Sequence, residues 1–361
     1  MKYFTKQLSS FCFGRLYRPD IPIGLLFWML IASSPLQSQD THFTQFFTNP
    51  LIQSPASTGY FQGNYRIGAN YKYQWPWATN QQTFNYQTEA VYADFSLLEN
   101  KVKHGWMGIG ANFLNDEAGD GRLRYMRFSA SLAWHQALDR ENRFVLSVGY
   151  SFSVINKSVD FDRFYFNDQW VSDQGFDRSL PNFEHPNTTS FFQMDMGAGL
   201  NFHAKVSDKL LLSTTFSMLN LNKPRDDFYS YNSNLGFRYI STLNMEYEVN
   251  KTTEIIANAY FTYQQKAYEI VFGGMAGFKP HQRHHISNST FFVGAYYRYN
   301  DAVSPIVGYQ YKKTRLLVNY DVITSRLYEP GKLNGGLEVS LVHVGSFPHV
   351  RNERKYACPK F

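Results

Sequence analysis

From Tyr65 almost to its end, this 361-residue chain alternates apolar and polar residues with a period of two, a pattern that few folds accept for so long. In the stretch QMDMGAGLNFHA, Met194, Met196, Ala198, Leu200 and Phe202 fall on one face of an extended chain. Gln193, Asp195, Gly197, Gly199, Asn201 and His203 fall on the other. Tyr65 to Trp75, Met126 to His135 and Phe144 to Val154 repeat the pattern, as do Phe237 to Val249, Thr253 to Gln264, Tyr268 to Phe278 and Phe291 to Tyr299. Leu316 to Val322 and Gly335 to Leu341 complete the series. About fourteen such segments, each of roughly 9 to 14 residues and with no helical period between them, describe an all-β chain without covering helices.

Two architectures can satisfy such faces. In a soluble sandwich the apolar faces meet each other; in a membrane barrel they face lipid and the polar faces line the lumen. Three features favour the barrel. Many segments exceed the five or six residues of an ordinary strand and reach the 9 to 11 that cross a bilayer when tilted. The polar faces are rich in Gly, Ser and Asn and sparse in Lys and Glu, which suits a crowded interior. Aromatics, 18% of the chain, gather where strands end. Tyr73, Trp75, Phe84 and Tyr86 mark one rim, and Trp106 and Trp134 are expected at the other.

Connection lengths test the barrel separately, because an even strand count with both termini periplasmic alternates short inner turns with longer outer loops. Ala137–Asn142, Lys205–Asp208 and Asn250–Thr252 are short, whereas Asn156–Thr188 and Asn220–Leu235 are long. The expected fold is therefore a transmembrane antiparallel β-barrel of about fourteen strands over residues 63–343, with the lipid bilayer as its solvent.

The ends of the chain read differently. Lys2, Lys6, Arg15 and Arg18 precede the apolar run Ile23 to Ala32, so residues 1–38 read as an export signal; retention as an anchor helix is the alternative. Removing them lowers the net charge from +6 to +3. The tail holds the remaining excess in Arg351, Arg354, Lys355 and Lys360 against Glu353, so a pI of about 9.0 is no nucleic-acid signature. Cys12 leaves with the signal and Cys358 stays alone, which excludes an intramolecular disulfide.

Residues 39–62 carry Asn49-Pro50 and Ser54-Pro55, which exclude a central strand and indicate an irregular periplasmic or plug-like segment, expected at the periplasmic mouth. Residues 344–361 read as a periplasmic tail at the same mouth. In it, Tyr356 and Phe361 are candidate apolar anchors for a docking partner, and Arg351, Arg354 and Lys355 would steer an acidic one. A disordered tail or an assembly signal is the alternative.

Catalytic and metal chemistry find little support. Asp195 and His203 share a face but lie roughly 26 Å apart along a strand. Gly108 and Gly110 lack the third glycine and the helix of a phosphate cradle. Asn115 to Gly121 has Ala118 where a calcium loop needs a ligand. His281, His284 and His285 have the chemistry to bind metal but read as a solvated connection. No nucleophile elbow or triad is present, so no enzyme activity and no cofactor are expected.

The order of motifs at the two ends resembles the PorP/SprF family of type IX secretion outer-membrane proteins. The family opening matches Gln39-Asp40, Phe43-Thr44-Gln45-Phe46, Asn49-Pro50, Ser54-Pro55-Ala56 and Gly59, and its first strand end matches Tyr71-Lys72-Tyr73-Gln74-Trp75. Its last strands match Tyr320-Asp321 and Gly335 to Leu341, and its closing Cys-Pro-Arg-Phe matches Cys358 to Phe361. Thr41, Ser54, Lys72 and Lys360 depart from the usual proline, asparagine and two arginines. The resemblance implies a barrel in the outer membrane of a Gram-negative bacterium that helps export or hold a secreted surface protein, often an adhesin. It also implies contact with a periplasmic peptidoglycan-binding partner. A small-solute channel or transporter is the competing function that the same pattern permits.

Overall fold

A computed structural model describes residues 43–347, except 75–85, 99–101, 103, 178, 182–183, 185, 187, 230–232, 283–284, 287 and 326–334. The alternating segments form β1 (Tyr65–Gln74), β2 (Tyr86–Leu97), β3 (Gly105–Ala118), β4 (Leu123–Ala137), β5 (Phe144–Ser158), β6 (Ser190–Lys205) and β7 (Leu210–Leu219). They continue as β8 (Arg238–Glu248), β9 (Thr253–Gln264), β10 (Ala267–Phe278), β11 (Ser289–Arg298), β12 (Ala302–Tyr311), β13 (Thr314–Ile323) and β14 (Gly335–Gly345). Each pairs antiparallel with its neighbours in sequence, and β1 closes on β14 with Asn70 opposite Ser340 and Lys72 opposite Glu338. The result is a closed barrel of fourteen strands, as the periodicity predicts.

Side chains alternate across the wall as expected. Ile67, Val91, Phe113, Leu132, Val148 and Leu200 lie on the outer face, while Arg66, Asn70, Asn112, Ser131, Ser151 and Asn201 are buried inside. Trp106 departs from the expected rim. It is the second residue of β3, on the parity of Gly108 and Gly110, and is 1% exposed inside the barrel, whereas Trp134 does face outward.

The lumen is not uniformly polar either. On the β7–β13 side, Ile240, Ile256, Val271, Met275, Phe292, Ile306 and Leu317 point inward and pack together with Leu219, Tyr260 and Tyr296. An inner apolar wall of this kind needs something to cover it.

We call the end where β1 starts and β14 finishes the terminal end, and the opposite one the loop end. Residues 159–189 and 220–237 connect strands at the loop end, against 138–143, 206–209 and 249–252 at the terminal end. Two connections run against this alternation. Residues 265–266 turn tightly at the loop end, with Gln265 at φ 45° and Lys266 at φ 78°, and the longer connection 279–288 lies at the terminal end. A two-residue turn with both φ values positive matches the twist of the flanking strands.

Candidate functional site: an occupied lumen

Residues 43–62 lie inside the barrel rather than only at its mouth, the placement that a plug-like segment would have. The segment winds through a 3-10 turn at Phe46–Thr48, a helical turn at Pro50–Gln53 and a second 3-10 turn at Pro55–Ser57. Pro50 and Pro55 open their turns, where a missing N–H is not needed, and the Ser54 hydroxyl accepts from the Ala56 amide. Phe43 packs with Ala90, Leu114, Ile52 and Tyr125 in the loop-end half. Tyr60 packs with Trp106, Ala137 and Val145 at the terminal end, just before β1 begins. The segment therefore runs along the barrel from the loop-end half to the terminal end.

Its start is held by charge. The Glu338 carboxylate accepts the Thr44 amide at 2.9 Å and the Gln45 amide at 2.7 Å. Asp321 accepts the Thr44 hydroxyl at 3.0 Å, the Ser304 hydroxyl at 2.6 Å and Arg298 at 2.8 Å, with Lys72 at 3.6 Å. The Gln45 side chain donates to Asn319 at 2.6 Å and accepts from Ser340. Thus the motif residues Lys72, Asp321 and Glu338, far apart in sequence, converge on Thr44 and Gln45 of the opening motif. Buried charges are tolerated when their lone pairs and protons are satisfied in this way.

The far part of the segment is held by fit. Arg66 donates to both Asp94 oxygens, at 3.0 and 2.7 Å, and Asp94 also accepts the Gly59 amide at 2.7 Å. His135 is 2.8 Å from the Thr58 carbonyl, and the Trp106 indole donates to the Gly59 carbonyl at 3.0 Å. Tyr60 stacks on His203 with ring centroids 3.4 Å apart. At the closest approaches of the segment's backbone to the wall, several wall residues are glycine. A Cβ on Gly108 would lie 1.9 Å from the Thr58 oxygen, one on Gly149 2.3 Å from the Ala56 nitrogen, and one on Gly199 2.4 Å from the Ser54 hydroxyl. Gly108, Gly149 and Gly199 thus make room for the segment.

Between these two regions Phe46 enters the apolar wall, 5.1 Å from Tyr260, and Phe47 stacks on Tyr296 at 5.2 Å. A cavity of about 110 Å³ remains beside them, lined by Phe47, Gln53, Tyr60, His203, Asn244 and Arg315, among others.

Asp195 pairs with Arg127 at 2.8 Å and His203 lies against Tyr60, so the two do not form an acid-base pair. Asn115 and Asp116 belong to β3, where Asp116 accepts the Thr88 hydroxyl at 2.6 Å. Among the described residues no group of three His, Cys, Asp or Glu side chains is placed to hold a metal. Arg351, Arg354, Lys355, Tyr356 and Phe361 lie outside the described residues, as do residues 1–38, Trp75 and the side chains of His281, His284 and His285. The residues that hold the segment were visible in the sequence only as inward positions. Lys72, Asp321 and Glu338 stood within quoted motifs, and the inward glycines stood on the polar face, but nothing in the alternation says which partner a polar face meets.

Residues 36–342 match the family model described as type IX secretion system membrane protein PorP/SprF. No curated protein matches the sequence. Among solved structures, the Pseudomonas putida toluene transporter TodX is similar at 11% identity, over 84% of this chain and 95% of that one, with a TM-score of 0.48. The Ralstonia pickettii toluene transporter TbuX is similar at 10% identity, over 83% and 94%, with a TM-score of 0.47.

Proposed function

The chain belongs to the PorP/SprF family of type IX secretion membrane proteins, an outer-membrane β-barrel, and from that premise we propose that it holds or helps export one secreted surface protein, such as an adhesin, without acting as an enzyme. The observation that carries this reading is the occupied lumen. A pore for small solutes needs a continuous aqueous path, whereas here Glu338, Asp321, Arg66 and Asp94 tie residues 43–62 to the wall. A filled barrel serves better as a rigid platform with binding surfaces at its two ends.

In this reading the loop end faces outward and meets the cargo. The terminal end faces the periplasm, where Arg351, Arg354, Lys355, Tyr356 and Phe361 dock a peptidoglycan-binding partner. Protease added to intact cells should cut near Trp170 and spare Val206. Deleting Cys358 to Phe361 should leave an inserted barrel that retains less cargo at the surface.

The decisive comparison is with the channel reading. Reconstituted into planar bilayers, the protein is expected to be silent, and deleting residues 43–62 should open a stable conductance. An open, ohmic conductance from the intact protein would favour the channel.

A further inference from the structure

Residues 159–177 of the loop-end connection are fixed by contacts at their base and at their tip. The base is pinned by the Asp160 amide, which donates to the Gly121 carbonyl at 2.8 Å, and by Phe164, which lies so close to Gly121 that a Cβ there would be 2.1 Å from the ring. Phe161 meets Phe228 of the neighbouring loop at 6.2 Å, and Lys157 pairs with Asp226 at 2.7 Å. The tip is a small hairpin pairing Trp170 with Phe176. Behind it the buried Gln169 donates to the Leu180 carbonyl at 3.0 Å, and its own carbonyl accepts the Asp177 amide at 2.8 Å. Asp177 is committed locally, since the hydroxyl and amide of Ser179 hold its carboxyl below the usual range.

On this fixed scaffold the largest apolar side chains point into solvent. Tyr165 is 53% exposed, Trp170 57% and Phe176 47%, with the Trp170 and Phe176 rings 4.8 Å apart. The whole connection 159–189 carries six acidic residues against Arg163 and Arg178. Asp162, Asp168 and Asp173 are exposed and make no ion pair among the described residues. A mobile loop would gain nothing by ordering exposed aromatics, whereas a preorganised one presents them to a partner at little entropic cost. Tyr and Trp are the residues that anchor interfaces, and aromatic faces on a segment of acidic balance attract cations rather than anions.

We infer that residues 159–177 form a preorganised acidic-aromatic docking surface for a lysine- or arginine-bearing polypeptide segment. The aromatic rings take the alkyl stems and cationic heads, and Asp162, Asp168 and Asp173 supply the opposing charge. The inference deepens the reading of the barrel as a holder of surface cargo, on which it rests, by giving the chemistry of the cargo segment that meets it.

The test uses the full chain in nanodiscs of zwitterionic lipid, with two labelled peptides as probes, one alternating Lys with Ser and one alternating Glu with Ser. The Lys peptide is expected to bind and the Glu peptide not to, with binding that weakens as salt is added. Trp170→Ala with Phe176→Ala should weaken it about tenfold or more. Asp168→Asn with Asp173→Asn, at exposed positions without ion-pair partners among the described residues, should weaken it as well and flatten the salt dependence. Equal binding of both peptides, or no response to either pair of substitutions, overturns the inference. Weakening by the aromatic pair alone assigns the surface to a neutral ligand such as a glycan and overturns it too. The two readings fail separately. Cargo that stays at the surface when the whole barrel gene is deleted removes the holder reading and leaves the peptide result standing.

Discussion

At the scale of single residues, two kinds of contact hold the segment, and each has its own sensitivity. Glu338 faces two backbone N–H donors with two carboxylate oxygens. Glu338→Gln turns one of those oxygens into an NH2 group aimed at a donor, at a fully buried position. The cost should be about 1.5–3 kcal/mol, the range for a hydrogen bond to a charged group. Hydrogen exchange at the Thr44 and Gln45 amides should speed up accordingly, and unchanged protection would mean that the anchor is not energetically real. Gly108 makes the second kind of contact, because a methyl group there meets the Thr58 carbonyl at 1.9 Å. The wall strand is hydrogen-bonded on both sides, so the segment has to yield. Gly108→Ala should cost about 1–3 kcal/mol as overpacking. Thr58, fully buried in the parent, then becomes reactive as Thr58→Cys toward a thiol reagent in the Gly108→Ala background and stays protected without it.

At the scale of elements, the strands were legible because each carries its own environment in its alternation. Thr253–Gln264 was read residue for residue, and Gly335 to Leu341 was read short of the four residues that complete β14. The β12 strand shows where the signal weakens: Pro305 sits within it on the outer face, and Ala302, Ser304 and Ile306 mix small, polar and apolar side chains inside. Trp106 shows that an aromatic near a strand end need not be a girdle residue, because its parity with Gly108 assigns it to the lumen. The segment 43–62 is legible in the sequence as irregular and as either periplasmic or plug-like; its partners are not legible, since its turns have no period and those partners are spread over nearly the whole wall. Facing makes a sharp prediction in β6. Leu200 lies on the lipid face, 49% exposed, and Leu200→Lys should cost roughly 2 to 4 kcal/mol near the bilayer midplane and reduce the fraction of inserted barrel. Asn201, one residue on, donates to the Ser57 hydroxyl at 3.2 Å. Asn201→Ala should leave insertion unchanged and lower stability by only about 1 kcal/mol, the worth of one such bond. Similar insertion defects at both positions would contradict these facings.

At the scale of the whole molecule, the question is whether the segment in the lumen ever leaves. The contacts argue that it belongs to the resting architecture. It is held by paired buried charges near its start, by Phe46 in the apolar wall, and by glycine-lined contact along Thr58 and Ala56, so leaving would expose all three at once. A barrel that transports through its lumen must release it, whereas a barrel that works as a platform need not. The Thr58 and Ser131 hydroxyls, 2.8 Å apart, join the segment to β4 and offer a place to decide. In a background carrying Cys358→Ser, Thr58→Cys with Ser131→Cys should form a disulfide in the oxidising periplasm, so that segment and wall are covalently joined. If the protein works as a platform, cells carrying the crosslinked barrel should retain as much cargo at the surface as parent cells, and adding reductant should change nothing. Loss of surface cargo that reductant restores would show that the segment moves during function. The buried anchors at Glu338 and Asp321 would then be a latch released in each cycle rather than a permanent part of the fold.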